Sequence, residues 1–167
     1  MVQPKFQGAN GTVTLTILIQ QIKQFLEEDP AATYSLVIGT DSHERISEDQ
    51  KSKEINLVTA IVVHRKGYGG RYFWKRKIVG NIHTLRDKIY AETLESLDFA
   101  RMFIPILKKQ LNGQLPDYDL EIHVDVGEHG ATREMIKEVV GMVTGYGFVA
   151  KTKPYSYAAS YVADKHT

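Results

Sequence analysis

Three strand-forming runs follow one another between residues 34 and 79, and the stretches between them are too short to hold a long helix. Leu36, Val37 and Ile38 form an apolar run that suits a strand buried on both faces, and it stops on "GTDSH" (39–43). "INLVTAIVVHR" (55–65) is long, apolar and β-branched; "KGYGG" (66–70) is a turn; "RYFWKRKIV" (71–79) returns as the second arm of a hairpin. The intervening "HERISEDQKSKE" (43–54) is charged and nearly free of apolar residues, which predicts a loop. Strands joined this closely pair antiparallel.

After residue 80 the pattern changes to alternating helices and strands. A helix over 84–111 carries an apolar stripe of Leu85, Ile89, Leu97, Ala100, Phe103, Ile106 and Leu107, with Pro105 as a point of kinking or early termination. "LEIHVDV" (120–126) is a strand, and "GEHGATREMIKEVVGMVTGYG" turns into a helix stopped by Gly145. "FVAKTKP" is a short strand, and "YSYAASYVADKHT" closes the chain as a helix capped by Ser156. Strands separated by helices should run parallel. Upstream, the first dozen residues read as irregular. Leu15, Leu18, Ile19, Ile22, Phe25 and Leu26 share one face of a helix that Pro30 ends. The expected fold is α/β: a mixed five-stranded sheet flanked by helices, in one domain over 1–167 whose residues 1–33 form an N-terminal helical extension.

Composition narrows the chemistry. A chain of 167 residues supplies one hydrophobic core, and a net charge of +1 gives no global field for a polyanion, so any nucleic-acid surface must be local. There is no cysteine, which leaves oxygen and imidazole as the available metal ligands. No apolar run is long enough to span a bilayer, and the first residues carry no secretory pattern; a cytoplasmic protein is expected.

If the first and fourth strands are parallel neighbours, Asp41 and Asp125 meet at the edge where open α/β sheets build sites. Glu92, three residues after Ile89 on the long helix, and Asp164, on a helical face with Tyr157 and Tyr161, can reach the same edge. Clustered carboxylates repel one another and need a cation. Hard oxygen ligands suit Mg²⁺ or Mn²⁺, and two such ions about 3.5–4 Å apart can stabilise both oxygens of a phosphoryl displacement. Each residue also has an ordinary reading. An Asp after a strand often forms a turn, Glu92 is otherwise a solvated helix residue with Glu95 as a rival, and Asp164 is otherwise an exposed residue near the terminus.

The order of strand with Asp, hairpin, helix with Glu, strand with Asp and late helical Asp resembles the ribonuclease H-like superfamily from about residue 34 to the end. More narrowly, "YSLVIGTDS", "HVDVGEHG" and "YAASYVADKHT" resemble a small bacterial family of unknown role, the YkuK-like proteins. The resemblance implies a two-metal nuclease or strand-transfer site with Asp41 and Asp125 as core ligands and Glu92 and Asp164 completing the set. It implies no substrate. Proofreading-type exonucleases of that superfamily carry Asp-x-Glu on the first strand; here "DSHE" places Glu44 three residues after Asp41, in the expected loop, which disfavours that subtype.

"HRKGYGGRYFWKRK" (64–77) holds Arg65, Lys66, Arg71, Lys75, Arg76 and Lys77 without an acid, interleaved with Tyr68, Tyr72, Phe73 and Trp74. Basic groups there can hold phosphates, and Trp74 can stack on an unpaired base. The competing reading is a hairpin whose aromatics pack the core. "GEHGATR" (127–133) can offer backbone N–H groups to a phosphate, or be a plain turn with Thr132 as helix cap. His43 and His129 are candidates for phosphate contact or leaving-group protonation, or are simply solvated. The sequence thus points to a divalent-metal nuclease. The alternative is a non-catalytic nucleic-acid-binding module that uses the hairpin 64–77. An actin-like phosphotransferase ranks last because the chain is too short for two lobes.

Overall fold

The computed structural model describes residues 3–49, 53–112 and 118–156. Strands β1 (Lys5–Gly8) and β2 (Gly11–Thr14) precede helix α1 (Leu15–Glu27). Then come β3 (Tyr34–Ile46), β4 (Lys53–Arg65), β5 (Gly69–Gly80), α2 (Leu85–Leu111), β6 (Tyr118–His123), α3 (Ile136–Gly145) and β7 (Val149–Lys151). The strands form one mixed sheet of seven in the order β2-β1-β5-β4-β3-β6-β7. β3, β4 and β5 pair antiparallel, and β6 pairs parallel to both β3 and β7, as their connections require.

The sheet has seven strands rather than five because residues 1–33 are not only helical. β1 and β2 form a hairpin, and β1 joins the edge of β5 at Gln7↔Trp74. Gly11, at φ 109°, supplies the left-handed backbone that this tight return needs. The expected loop 43–54 is also shorter than its charge suggested: β3 and β4 keep exchanging backbone hydrogen bonds out to Ile46↔Lys53. Glu44 is therefore a strand residue, opposite Ile55.

Alternation along the strands gives the sheet two faces. Leu36, Ile38, Ile61, Val63, Phe73 and Ile122 face a core shared with Leu18, Ile22 and Phe25 of α1, Leu97 and Phe103 of α2, and Val139 and Val143 of α3. Val37, Val58 and Ala60, at the alternate positions, are also buried, so the centre of the sheet is shielded on both sides. α1 starts on Thr14, whose hydroxyl accepts from the Ile17 N–H. α2 starts on a reciprocal pair: the Thr84 hydroxyl takes the Asp87 N–H and the Asp87 carboxylate takes the Thr84 N–H. α2 runs through Pro105 to Leu111 and ends on Asn112 at φ 49°. Thr132 does not cap a helix with its side chain; its hydroxyl accepts from the Gly127 N–H and pins the turn from within. The expected closing helix, and Asp164 with it, lies outside the described residues.

Candidate active site

β6 accompanies β3 only as far as the pair Gly39↔His123, while β3 continues seven residues further along β4. Among the described residues this opens a notch on the β6 side of β3. Asp41 lies two residues beyond the last pair on one strand and Asp125 two beyond it on the other, so both follow the same end of the β3–β6 pairing, with the chain turning at Asp125 where the Val126 N–H donates to the Val124 carbonyl at 2.9 Å. The strand that ends at the notch is β6. Asp41 itself stands mid-strand, opposite Val58, which holds its backbone more firmly than a strand terminus would.

Helix α2 closes one side of the notch through a set of buried hydroxyls. The Thr40 hydroxyl lies 2.8 Å from that of Ser96 and 3.0 Å from that of Thr59. One turn earlier on α2, Glu92 Oε1 accepts from the Ser42 hydroxyl at 2.6 Å. Residues 92 and 96 face the helix–sheet seam, and residues 40 and 42 are successive positions on one face of β3, so the two contacts fix the height of α2 on the sheet.

Glu92 is only 3% exposed, and its second oxygen, Oε2, has no hydrogen-bond partner. Burial pushes its carboxyl up from the usual 4.5 to about 8, the Ser42 hydrogen bond and the Lys88 charge work against that rise, and the Asp41 and Asp125 charges add to it. Both aspartates are thus near enough for their charges to act on Glu92. Asp41 is buried and accepts the Ser42 N–H at 2.8 Å. Asp125 is partly exposed, with Lys153 Nζ at 2.9 Å.

The rival glutamate is engaged elsewhere. Glu95 Oε1 accepts from Lys75 at 2.9 Å and Oε2 from Lys77 at 3.0 Å. Burial alone would raise its pKa, but the two lysines outweigh burial and hold it below its ordinary value.

Asp41, Glu92 and Asp125 offer hard oxygens, and the unpartnered Glu92 Oε2 is the kind of donor an oxygen-seeking divalent cation takes. Among the described residues, no three His, Asp or Glu side chains stand close enough as they are to share one ion.

The structure separates the other candidates. His43 is exposed on β3, at a position that alternation assigns to the same strand face as Asp41. His129 is exposed in the turn after β6 and lines a cavity of about 530 Å³ with Arg133 and Lys137. The basic hairpin does not present its cations on one surface. Arg65 is buried, donating to Tyr34 Oη, the Phe25 carbonyl and Glu28. Lys66 is exposed, 3.9 Å from Asp119. Arg71 lies over the Phe25 ring, and Lys75 and Lys77 reach Glu95. Trp74 and Arg76 occupy the alternate face of β5, with the guanidinium 4.9 Å from the indole centroid. Ser42, Thr40, Ser96 and Lys153 were not singled out from sequence. Small hydroxyl residues on a buried strand and a lone late lysine carry no pattern of their own.

A seven-stranded mixed sheet with acidic side chains at the notch between two parallel neighbours defines an α/β protein with a polar site at a strand end. The chain belongs to the Ribonuclease H-like family, whose model matches residues 17–167. It is 35% identical over 167 residues to the uncharacterised protein YkuK of Bacillus subtilis (strain 168), covering 95% of this chain and 94% of that one. The family match begins inside α1, earlier than the resemblance read from sequence. No solved structure matches the chain significantly.

Proposed function

We propose that this protein is a divalent-metal-dependent nuclease, hydrolysing phosphodiesters of nucleic acid at the notch between β3 and β6. Asp41, Glu92 and Asp125 would hold Mg²⁺ or Mn²⁺, with Asp164 as the fourth ligand. The observation that carries this reading is Glu92: a buried carboxyl with one unpartnered oxygen, under the charge of two aspartates. As structure alone this carboxyl is a cost, since an unsatisfied buried polar atom is worth about 1–3 kcal/mol that an apolar side chain would avoid.

When bound, two such ions supply activation of water and stabilisation of the leaving oxygen. The chain's own residues do the rest. Asp41 sits on a paired strand and its Oδ1 accepts the Ser42 N–H, which together limit the carboxylate's movement. Ser42 orients Glu92 Oε1 and leaves Oε2 turned away from it. With its pKa near 8, Glu92 keeps a proton at neutral pH in the absence of a cation, which lowers the mutual repulsion of the three carboxyls. Trp74 and Arg76, on the face of β5 opposite Lys75 and Lys77, are the hairpin residues we assign to contact with the nucleic acid.

The test is incubation with single-stranded, duplex and hybrid substrates in Mn²⁺, comparing the wild type with Asp41→Asn and Asp125→Asn. Cleavage of at least one substrate, lost in both variants without loss of fold, supports the proposal. Binding that survives both changes, with no cleavage by any form, would instead favour a non-catalytic nucleic-acid-binding module.

A further inference from the structure

Lys153 stands where a cation at Asp125 would compete with it. Its Nζ is 2.9 Å from Asp125 Oδ1. The placement is built into the backbone: the Lys153 N–H donates to the Val126 carbonyl at 2.8 Å, and the Val124 N–H donates to the Lys151 carbonyl at 2.9 Å. These two bonds hold the segment after β7 against both sides of Asp125.

The side chain also has a bed. A Cβ on Gly127 would lie 3.0 Å from Lys153 Cβ, 3.4 Å from its Cδ and 3.7 Å from its Cγ. The absence of a side chain at 127 is what lets the lysine stem lie across the turn toward Asp125. A lysine suits a temporary occupant: its ammonium is a compact point charge on a flexible four-carbon stem with three donors. Its partner is partly exposed, so the pair is weak enough to exchange.

From this geometry we infer that Lys153 is a positioning residue that occupies Asp125 while the site lacks a metal ion and moves to the substrate's phosphate when one binds. The inference rests on the nuclease reading of the notch. Lys153 neutralises Asp125 in the resting protein and so reduces its repulsion of Asp41. With a cation held by Asp125, the ammonium would give up Oδ1 and be left to pair with an anion bound beside it. The residue therefore opposes metal binding and favours phosphate binding, two effects of opposite sign from one charge.

The experiment is calorimetric titration of the full chain with Mn²⁺, then with inorganic phosphate at saturating Mn²⁺. The proteins are the wild type, Lys153→Met, Lys153→Arg, Gly127→Ala and Asp41→Asn. Methionine keeps the stem and removes the charge. Lys153→Met is expected to bind Mn²⁺ roughly two- to fivefold tighter, the range an exposed ion pair supports, and to bind phosphate more weakly. Gly127→Ala, which displaces the stem without touching the charge, should shift Mn²⁺ affinity in the same direction. Lys153→Arg should return both affinities toward wild type. Wild-type Mn²⁺ binding that is lost in Asp41→Asn but unchanged or weakened in Lys153→Met overturns this inference alone. Absence of Mn²⁺ binding by both the wild type and Asp41→Asn overturns the nuclease reading and this inference with it.

Discussion

Glu92 and Glu95 lie three residues apart on the same helix and are almost equally buried, yet α2 delivers them to opposite environments. Glu95 meets β5, where Lys75 and Lys77 each take one of its oxygens. Glu92 meets β3, where a single hydroxyl takes one oxygen, nothing takes the other, and two aspartates stand nearby. Burial raises the pKa of both. On the β5 side two cations reverse the effect, and on the β3 side two anions add to it while the Lys88 charge only offsets part of the rise. A buried acid with its countercharge is part of the architecture. A buried acid with one oxygen unpartnered and two further acids acting on it is unfinished as structure and makes sense as a place for a cation.

The largest effect that separates the two regions is pH dependence. Glu92 titrates near its ordinary 4.5 in the unfolded chain and at about 8 in the fold. Because the folded value is the higher one, its contribution to stability is complete below about pH 4.5 and is lost as pH rises through about 8. The slope is at most about 1.4 kcal/mol per pH unit, so on the order of 3–4 kcal/mol is lost between pH 5 and pH 8. Urea unfolding of the metal-free protein across that range should show the decline, and Glu92→Gln should flatten it. Equal slopes in the two proteins would mean that Glu92 is not buried as an acid.

Next in size is removal of the countercharged glutamate. Glu95→Ala leaves Lys75, whose side chain is only 19% exposed, beside Lys77 without an anion. A loss of about 2–3 kcal/mol in urea unfolding is expected, with no effect on Mn²⁺ affinity. A variant as stable as the wild type would show that the lysine pair does not need Glu95.

The smallest effect is that of Ser42→Ala, which removes the hydroxyl on Glu92 Oε1. It should cost about 1 kcal/mol at neutral pH and move the pH-dependent decline to higher pH, since the Ser42 hydrogen bond is the largest influence that lowers the Glu92 pKa. A decline that stays put or moves to lower pH would contradict the assigned contact.

Much of this arrangement is legible in the amino-acid order, for identifiable reasons. β3, β4 and β5 announce themselves because burial forces apolar and β-branched runs, and α2 because its buried face repeats with helical period. Parallel pairing of β3 with β6 follows from the helix between them, and that puts Asp41 and Asp125 at the same end of the pair. What escaped were elements that owe little to burial. β1 and β2 are four residues each, in a Gly- and Asn-bearing stretch where only Phe6 is buried. The outer β3–β4 arms leave the core, so their charged residues read as loop while backbone pairing continues. The basic hairpin looked like one surface because composition does not report alternation. Arg65 faces inward among Phe25, Tyr34 and Glu28, whereas Trp74 and Arg76 face the other way. The choice between Glu92 and Glu95 depends on which strand each meets, and that is set by the Thr40–Ser96 and Ser42–Glu92 contacts rather than by helical spacing.

The central claim is that the acids at the notch form a cation site and the acid at β5 does not. Calorimetric titration with Mn²⁺ of the wild type, Asp41→Asn and Glu95→Gln tests it most directly. The account predicts binding in the micromolar to millimolar range by the wild type, the same affinity in Glu95→Gln, and no binding by Asp41→Asn. Equal binding by the wild type and Asp41→Asn, or loss of binding in Glu95→Gln with Asp41→Asn unaffected, would contradict it.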